Sequence, residues 1–107
     1  MIARNKELST LLDGVTTNKQ SPTIAIVSDT ITVEAMIKGT GAVSGTVTWY
    51  GCCTKRATQG IVFATSTLSG SGSDQTAESC AAVYPFVYCI LTLISGTNAS
   101  VTANVAA

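Results

Sequence analysis

The residues best suited to chemistry are four cysteines: Cys52, Cys53, Cys80 and Cys89. A four-thiolate zinc site normally contains two closely spaced Cys pairs, whereas here one pair is adjacent and the other is nine positions apart. The chain also lacks the Cys-x-x-Cys motif of dithiol redox sites. We expect Cys89 to fill core volume as a small apolar residue and the others to be loop thiols. A disulfide between Cys52 and Cys80 is the alternative if the protein works outside a reducing cytosol.

Acid–base catalysis lacks its usual residues. The chain has no histidine, which removes the commonest general base and the commonest metal ligand together. Its six acidic residues are scattered, and a dyad such as Asp29 with Glu34 has no spacing that favours it. No glycine-rich phosphate motif precedes a helix. The sequence therefore predicts a protein that is not an enzyme, with no catalytic residues, no metal and no cofactor.

Two adjacent aromatic residues end one of the predicted strands. Successive strand residues point to opposite faces, so Trp49 and Tyr50 cannot both face the core. Trp49 shares its parity with Val43 and Val47 and is predicted to be the large core residue. Tyr50 is left on the outside, where an aromatic side chain could stack on a sugar or anchor a protein interface. We take Tyr50 as a candidate interface residue, with packing inside the domain as the commoner fate.

The elements that would position these residues are predicted to be short strands. From residue 23 onward, apolar and polar residues alternate with a period of two, which is typical of half-buried strands. This pattern predicts strands over residues 23–27, 30–38, 42–50 and 61–68, with a polar edge strand over 74–82. Glycine-rich turns are predicted at residues 39–41 and in the run SGSGS at residues 69–73.

The last third of the chain predicts a β-hairpin. Residues 84–94 are apolar on both parities, as expected of a central strand. Residues 95–98, with the sequence SGTN, favour a tight turn. Residues 99–105 then alternate cleanly between apolar and polar side chains.

Strand signals at a spacing of about 8–12 residues are typical of antiparallel sandwiches and barrels. We predict an all-β, antiparallel β-sandwich of six to eight strands, either immunoglobulin-like or jelly-roll-like, over residues 23–107. Residues 1–22 are predicted to form an arm and linker. Residues 6–12 could make a short helix or a short strand, and the segment could be a frayed terminus or an arm that docks on a neighbour. Its candidate interface residues are Leu8, Leu11 and Leu12.

Composition excludes several classes of partner. Charged residues are 11% of the chain and the formal net charge is zero, so the clustered Lys and Arg needed for nucleic acid are missing. The adjacent pair Lys55 and Arg56 is expected to be a solvated loop tip. The most apolar run, residues 81–94, contains Pro85 and is shorter than the roughly 18–20 residues that span a bilayer. We expect no nucleic acid, no membrane and no export signal, and a surface suited to assembly against neighbours.

Four segments resemble a known family. They are TLLDGVTT (residues 10–17), ITVEAMIKGTGAVSGTVTWYG (31–51), FATSTLSGSGS (63–73) and YPFVYCILTLISGTNASVTANV (84–105). Their Gly-Thr-Gly strand end, TLSG turn, aromatic-rich strand and ISGT motif are similar to those of small β-sandwich structural proteins of tailed-bacteriophage virions. Where that family commonly carries a Ser-Asn-Asp-Gly loop, this chain has Cys52, Cys53, Thr54 and Lys55, so a role of that loop is not carried over to this chain.

The resemblance implies a non-enzymatic virion protein, in particular a decoration or cement protein that binds the major capsid protein and stabilises the head. It further implies a homo-oligomer, either dimer or trimer, located on the capsid surface after assembly in the host cytoplasm. A lattice offers many equivalent docking positions, so a small domain can gain avidity through self-association. The alternative is a receptor- or glycan-binding module of a tail or fibre, built around Tyr50 and the loop at residues 51–60.

Overall fold

The fold was analysed in a computed structural model that describes residues 8–26, 28–54, 60–81 and 83–107. All of its regular elements are strands: β1 (Leu8–Val15), β2 (Lys19–Gln20), β3 (Ile24–Ala25), β4 (Thr30–Cys52), β5 (Ile61–Ala81) and β6 (Phe86–Ala106). Every pairing between them is antiparallel. The predicted all-β, antiparallel fold with six strands is therefore confirmed.

The six strands form one hydrogen-bonded sheet in the order β1-β6-β4-β5. Strand β6 pairs with β4 along almost its whole length, and it also pairs with β1, β2 and β3. Strand β5 pairs with β4 alone among the described elements, which leaves it at one edge of the sheet. The two longest pairings are those of β4 with β5 and of β4 with β6.

The three long strands are bent rather than interrupted. The Cδ1 atom of Ile37 lies 3.6 Å from where a Cβ on Gly45 would stand. Eight extended residues would separate these positions by about 26 Å, so β4 must double back between them. Strand β4 shifts register against both of its neighbours in this bend, between Lys38 and Thr46, and a further shift against β5 lies between Trp49 and Tyr50. The sheet therefore folds over at this bend, so that Ile37 before it lies near Gly45 after it.

The chain bends at the predicted turn positions, but the prediction that these positions separate different strands is wrong. Residues 39–41, 69–73 and 95–98 are bends within single strands and not hairpin turns between paired strands, because β4, β5 and β6 each continue through them. In particular, the two arms of the predicted terminal hairpin do not pair with each other. One arm pairs with β4 at Tyr50 and the other pairs with β4 at Ile37. Each long strand thus contains two of the strands that the alternation predicted.

The core follows the predicted parity. Ile31, Val33, Ala35 and Ile37 are buried, as are Val43, Val47 and Trp49 in the second part of β4. Trp49 is fully buried, and its Nε1 donates a hydrogen bond of 3.0 Å to Ser66 Oγ on β5. This bond satisfies the one polar atom of the largest core side chain, as a buried indole N–H requires.

The predicted N-terminal arm is part of the domain as far as it is described. Strand β1 pairs with the C-terminal part of β6, with register shifts between Thr10 and Leu12 and between Leu12 and Val15. A bulge lets two successive side chains face the same way, and Leu11 and Leu12 are both buried in the core. The proposed boundary at residue 22 is therefore not supported, and neither is a helix at residues 8–12.

Some predictions fall partly outside the described residues. The strand predicted over residues 23–27 is reduced to β3, and Val27 is not among the described residues. The predicted edge strand over 74–82 forms the end of β5, which stops at Ala81, and Ala82 is likewise outside. The basic pair Lys55 and Arg56 also lies outside the described part of the chain.

Candidate functional site

The predicted interface leucines have different fates. Leu11 is 7% exposed and Leu12 is 1% exposed, so both are taken up by the core of their own domain. An interface role for these two side chains does not fit this burial. Leu8 is 64% exposed at the start of β1, opposite Ala106. It is the member of the predicted leucine set that retains surface for a partner.

Tyr50 lies on the outer side of the sheet, but one face of its ring is covered by the ring of Tyr88. It stacks on Tyr88 with ring centroids 5.0 Å apart and an interplanar angle of 6°. The Tyr88 hydroxyl accepts a hydrogen bond of 2.9 Å from the Gly60 backbone N–H. Tyr88 is buried beneath this arrangement, whereas Tyr50 is half-buried. One face of the Tyr50 ring is thus covered by the domain itself, which reduces the platform available for stacking on a sugar.

The four cysteines, all within the described residues, are free thiols. Cys52 is buried at the end of β4 opposite Phe86, and Cys80 lies on β5 opposite Ile31. The two are free thiols, as in the favoured expectation, and the alternative Cys52–Cys80 disulfide is not formed. Cys89 is a core residue as predicted, and burial raises the pKa of its thiol to about 11. Neither Cys52 nor Cys80 is a loop thiol, because both belong to strands; Cys53 is exposed just beyond β4.

A cleft of about 350 Å³ opens on the outer face between β5 and β6. It is lined by Met36, Ile37, Lys38, Ser73, Asp74, Gln75, Ser100 and Thr102. The Asp74 carboxylate accepts hydrogen bonds of 2.9 Å from the backbone N–H groups of Ser69 and Gln75, which lower its pKa. A carboxylate held ionised by backbone donors is a poor general acid, because it gives up its proton well below neutral pH.

Beside this cleft, a polar network joins three strands. Glu34 on β4 accepts hydrogen bonds from Gln75 Nε2 at 3.2 Å and from Asn104 Nδ2 at 3.1 Å. The Oδ1 atom of Asn104 is buried without a hydrogen-bond partner. The network ties β5, β4 and β6 together on the outer face. It brings together one carboxylate and two amides, which is a structural arrangement rather than a catalytic pair.

The most distinctive surface is one half of the folded sheet that carries no charged residue in its three long strands. It consists of residues 42–52 of β4, 61–73 of β5 and 86–98 of β6, and we call it the charge-free half. Lys19 in β2, which pairs with Leu91, lies at its margin. The other half holds Glu34, Lys38 and Glu78. Depletion of charge is the compositional mark of the core of a protein interface.

The outer side of the charge-free half presents a set of aligned threonines, which we call the threonine face. In the sheet register, Thr46 lies between Thr67 on β5 and Thr92 on β6, and Thr48 lies opposite Thr65. Thr65 and Thr67 are exposed, and the other three are half-buried. Threonine is stiff at χ1 and offers both a methyl group and a hydroxyl. Such a surface can contact another protein at a small cost in side-chain entropy.

Sequence reasoning placed the threonines on the outer parity but missed the surface they form. The alternation of Thr46 and Thr48 with Val47 was sufficient to predict that they face outward. Their alignment with Thr65 and Thr67 depends on the β4–β5 register, and single-strand periodicity does not contain that register. One signal was available: no charged residue occurs between Arg56 and Asp74, nor anywhere after Glu78.

Comparison with known proteins adds no assignment. No protein-family model matches this chain. None of the curated proteins matches it either. In the described parts of the chain, no group of three His, Cys, Asp or Glu side chains could hold a metal ion. Those parts also contain no helix long and apolar enough to cross a membrane.

Proposed function

We propose that this chain is a non-enzymatic structural protein of a bacteriophage virion, specifically a capsid decoration or cement protein that binds the major capsid protein and stabilises the head. The observation that carries the proposal is the charge-free half with its threonine face. A lattice-bound protein keeps one surface permanently covered, and such a surface has no need of charges for solubility.

The motifs that carry the family resemblance support the proposal through their positions. The Gly-Thr-Gly, Ser-Gly-Ser-Gly-Ser and Ser-Gly-Thr-Asn segments lie at the bends of β4, β5 and β6 respectively. In the sheet register, Thr40 lies opposite Thr97 and Ala42 lies opposite Ser71. The three motifs therefore form one row across the sheet at the place where it folds over. A chain that shares them with the virion proteins has a physical reason to share their architecture.

The surface chemistry favours contact with a protein over recognition of a small molecule. The threonine face lies on three paired strands, and rigid elements hold a binding surface more accurately than loops do. We propose that this face contacts the capsid protein. Thr48 lies near its centre, because it is on the central strand opposite both Thr65 and Ile90.

The first test locates the chain in virions of the phage that encodes it and compares particles with and without it. We expect density on the capsid surface, and we expect particles lacking the chain to release DNA at a lower temperature or after a milder osmotic shock. If these particles were equally resistant but failed to attach to host cells, the receptor- or glycan-binding alternative would replace the capsid assignment.

The second test uses a matched pair of substitutions on β4. Thr48→Arg places a long charged side chain on the threonine face. Thr32→Arg places the same side chain on the outer side of the other half of the sheet, which holds Glu34, Lys38 and Glu78 and which we call the charged half. Both threonines are half-buried and face outward from the same strand. We expect Thr48→Arg to lower occupancy on deficient particles by about tenfold or more, because an uncompensated charge would be buried at the contact. Occupancy by Thr32→Arg should remain close to wild type, and equal loss in both variants would contradict the assignment.

A further inference from the structure

Strand β5 has an open edge in the charge-free half. Among the described elements, β4 is its only hydrogen-bonded neighbour, so alternate residues of β5 direct their backbone groups away from the sheet. Natural edges are usually protected by charged residues, proline or bulges. Residues 64–68 of β5 contain no charge and no proline, and the β4–β5 register runs through them without a shift.

Two independent groups of hydrogen bonds, one on β5 and one on β6, identify the residues whose backbone groups point outward. The Ser69 N–H bonds the Asp74 carboxylate rather than β4, so the outward set on β5 includes Ser69. By alternation, that set also includes Thr65 and Thr67.

The central strands give the same result. Cys89 exchanges hydrogen bonds with Ser21, through its C=O at 2.8 Å and its N–H at 2.9 Å, so its backbone groups point away from β4. Trp49, which lies opposite Cys89, must then bond β5 at Ala64. Ser66 and Leu68 follow Ala64 in bonding β4.

The unpaired stretch of the β5 edge, residues 64–68, which we call the open window, has defined ends. At one end, the Asp74 carboxylate already occupies the Ser69 N–H. At the other end, the register shifts between Trp49 and Tyr50, which leaves Phe63 as the extra residue of a bulge. Thr65 and Thr67 lie between these ends, and within the described residues no strand pairs with their outward N–H and C=O groups. A two-fold axis farther along β5, at Thr76, would instead place Asp74 of each copy opposite Glu78 of the other, where like charges repel.

We propose that two copies of this chain associate through this window, with β5 of one copy pairing antiparallel to β5 of the other across a two-fold axis at Ser66. Thr65 then lies opposite Thr67 of the second copy, and each of these residues donates one hydrogen bond and accepts one. The pairing is self-complementary because both strands present the same free groups in the same order. It also places threonine beside threonine across the new strand pair, which is a favourable cross-strand combination.

A second copy is a better occupant than a foreign strand, because in this register the outward backbone N–H and C=O groups of Thr65 and Thr67 are hydrogen-bonded in both copies at once. The pairing joins two sheets into one continuous sheet and places two threonine faces side by side. This inference extends the proposed structural role but does not depend on capsid binding. It gives the oligomer a defined order, a two-fold dimer, and a defined surface.

The first experiment measures the mass of the purified chain by sedimentation over a range of concentrations, with no particle present. We expect a dimer whose Kd rises by roughly tenfold or more in Thr67→Pro, because proline removes an N–H donor at an edge position that tolerates it. Thr32→Lys, on the outer face of the central strand, serves as a folded control and should leave the Kd unchanged. A monomeric wild-type chain, or a dimer that Thr67→Pro leaves intact, would overturn the proposal.

A charge-pair experiment tests the register itself. Thr65→Lys and Thr67→Glu should each weaken the dimer. Mixing the two variants should restore association, since the lysine introduced in one copy then faces the glutamate introduced in the other across the interface. Restoration is not expected if the strands pair in another register, so its absence would contradict the axis at Ser66.

Amide hydrogen exchange on the unmodified chain keeps the proposal testable if a variant fails to fold. The amides of Thr65 and Thr67 should be protected at high concentration and exchange on dilution, whereas those of Ser66 and Leu68 should stay protected throughout. Exchange of Thr65 and Thr67 that is independent of concentration would refute edge pairing. Because these measurements involve no virion, they can fail while particle binding succeeds, and the reverse also holds.

Discussion

Cys89 lies on β6 opposite Trp49, and the surrounding core changes its chemistry. Burial disfavours the thiolate and raises the pKa of the thiol to about 11, from an ordinary value of 9.0; the Ser21 side chain lowers it slightly in return. Because the thiolate is the reactive form, this cysteine is expected to be inert in the folded protein. Cys53, which is exposed, is expected to react first with thiol reagents.

The raised pKa of Cys89 predicts a stability that falls at alkaline pH. Between pH 9 and pH 11 the unfolded chain loses the thiol proton while the folded chain keeps it, so deprotonation favours unfolding. The contribution is fully present below pH 9 and is lost as the pH rises towards 11, up to about 3 kcal/mol. Denaturant titrations of wild type and Cys89→Ala measure it. The difference in free energy of unfolding between the two should shrink across this range; a constant difference would contradict the prediction.

At the scale of the strands, the sequence predicted the faces correctly and the connections incorrectly. Ile31, Val33 and Trp49 are buried as their parity requires, because a period of two is a local property. Glycine-rich segments such as residues 39–41 favour a bend and a reversal equally well. The choice depends on which strand pairs with which, and β6 supplies a partner for β4 on both sides of the bend. An edge strand was predicted over residues 74–82, but the continuation of that edge through residues 61–73 and the alignment of the threonine face depend on the same pairing and were not predicted.

The glycines at the bends should differ in how far they tolerate a side chain. Gly96 has a φ of 125°, and a Cβ there would meet Ala42 O at 2.8 Å. Gly41 has a φ of 70°, but a Cβ there would meet no atom within 4 Å. We expect Gly41→Ala to cost about 1 kcal/mol for its backbone conformation alone, and Gly96→Ala to cost about 3 kcal/mol or more because a clash is added. Thermal unfolding checks the order, and equal losses would show that the β6 bend relaxes freely.

Asp74 closes one end of the β5 edge, which gives a prediction about association. Asp74→Ala should free the Ser69 N–H, lengthen the open edge and tighten self-association, and the Ser69 amide should exchange faster in the monomer. Low pH should also free the Ser69 N–H and tighten self-association. The pKa of Asp74 is lowered by its two backbone hydrogen bonds, so they persist above its ordinary value of 3.8 and weaken as pH falls through the lowered pKa. Unchanged exchange at Ser69 in Asp74→Ala would show that the carboxylate does not protect this amide.

At the scale of the molecule, the two halves of the sheet differ in chemistry but share their strands. The charged half includes Glu34, Lys38 and Glu78, whereas the charge-free half presents threonines and the open β5 edge. This division lets one half face solvent while the other is covered by neighbours. Because the chain has no net charge, self-repulsion does little to keep it monomeric.

Shared strands also predict that the two halves cannot unfold separately. Strands β4 and β6 pass through both halves, and Ile37 from one half packs near Leu91 and Gly45 of the other. Loss of either half would expose the core surface of the remaining half, so unfolding is expected to be two-state. Trp49 fluorescence reports on the charge-free half, and amide exchange at Val33 and Ala35 reports on the charged half. Both should give the same free energy of unfolding, and Gly96→Ala should lower both equally. Two separate transitions would mean that the bends act as hinges between independent units, and the single folded sheet would then fail as the basis of a rigid assembly surface.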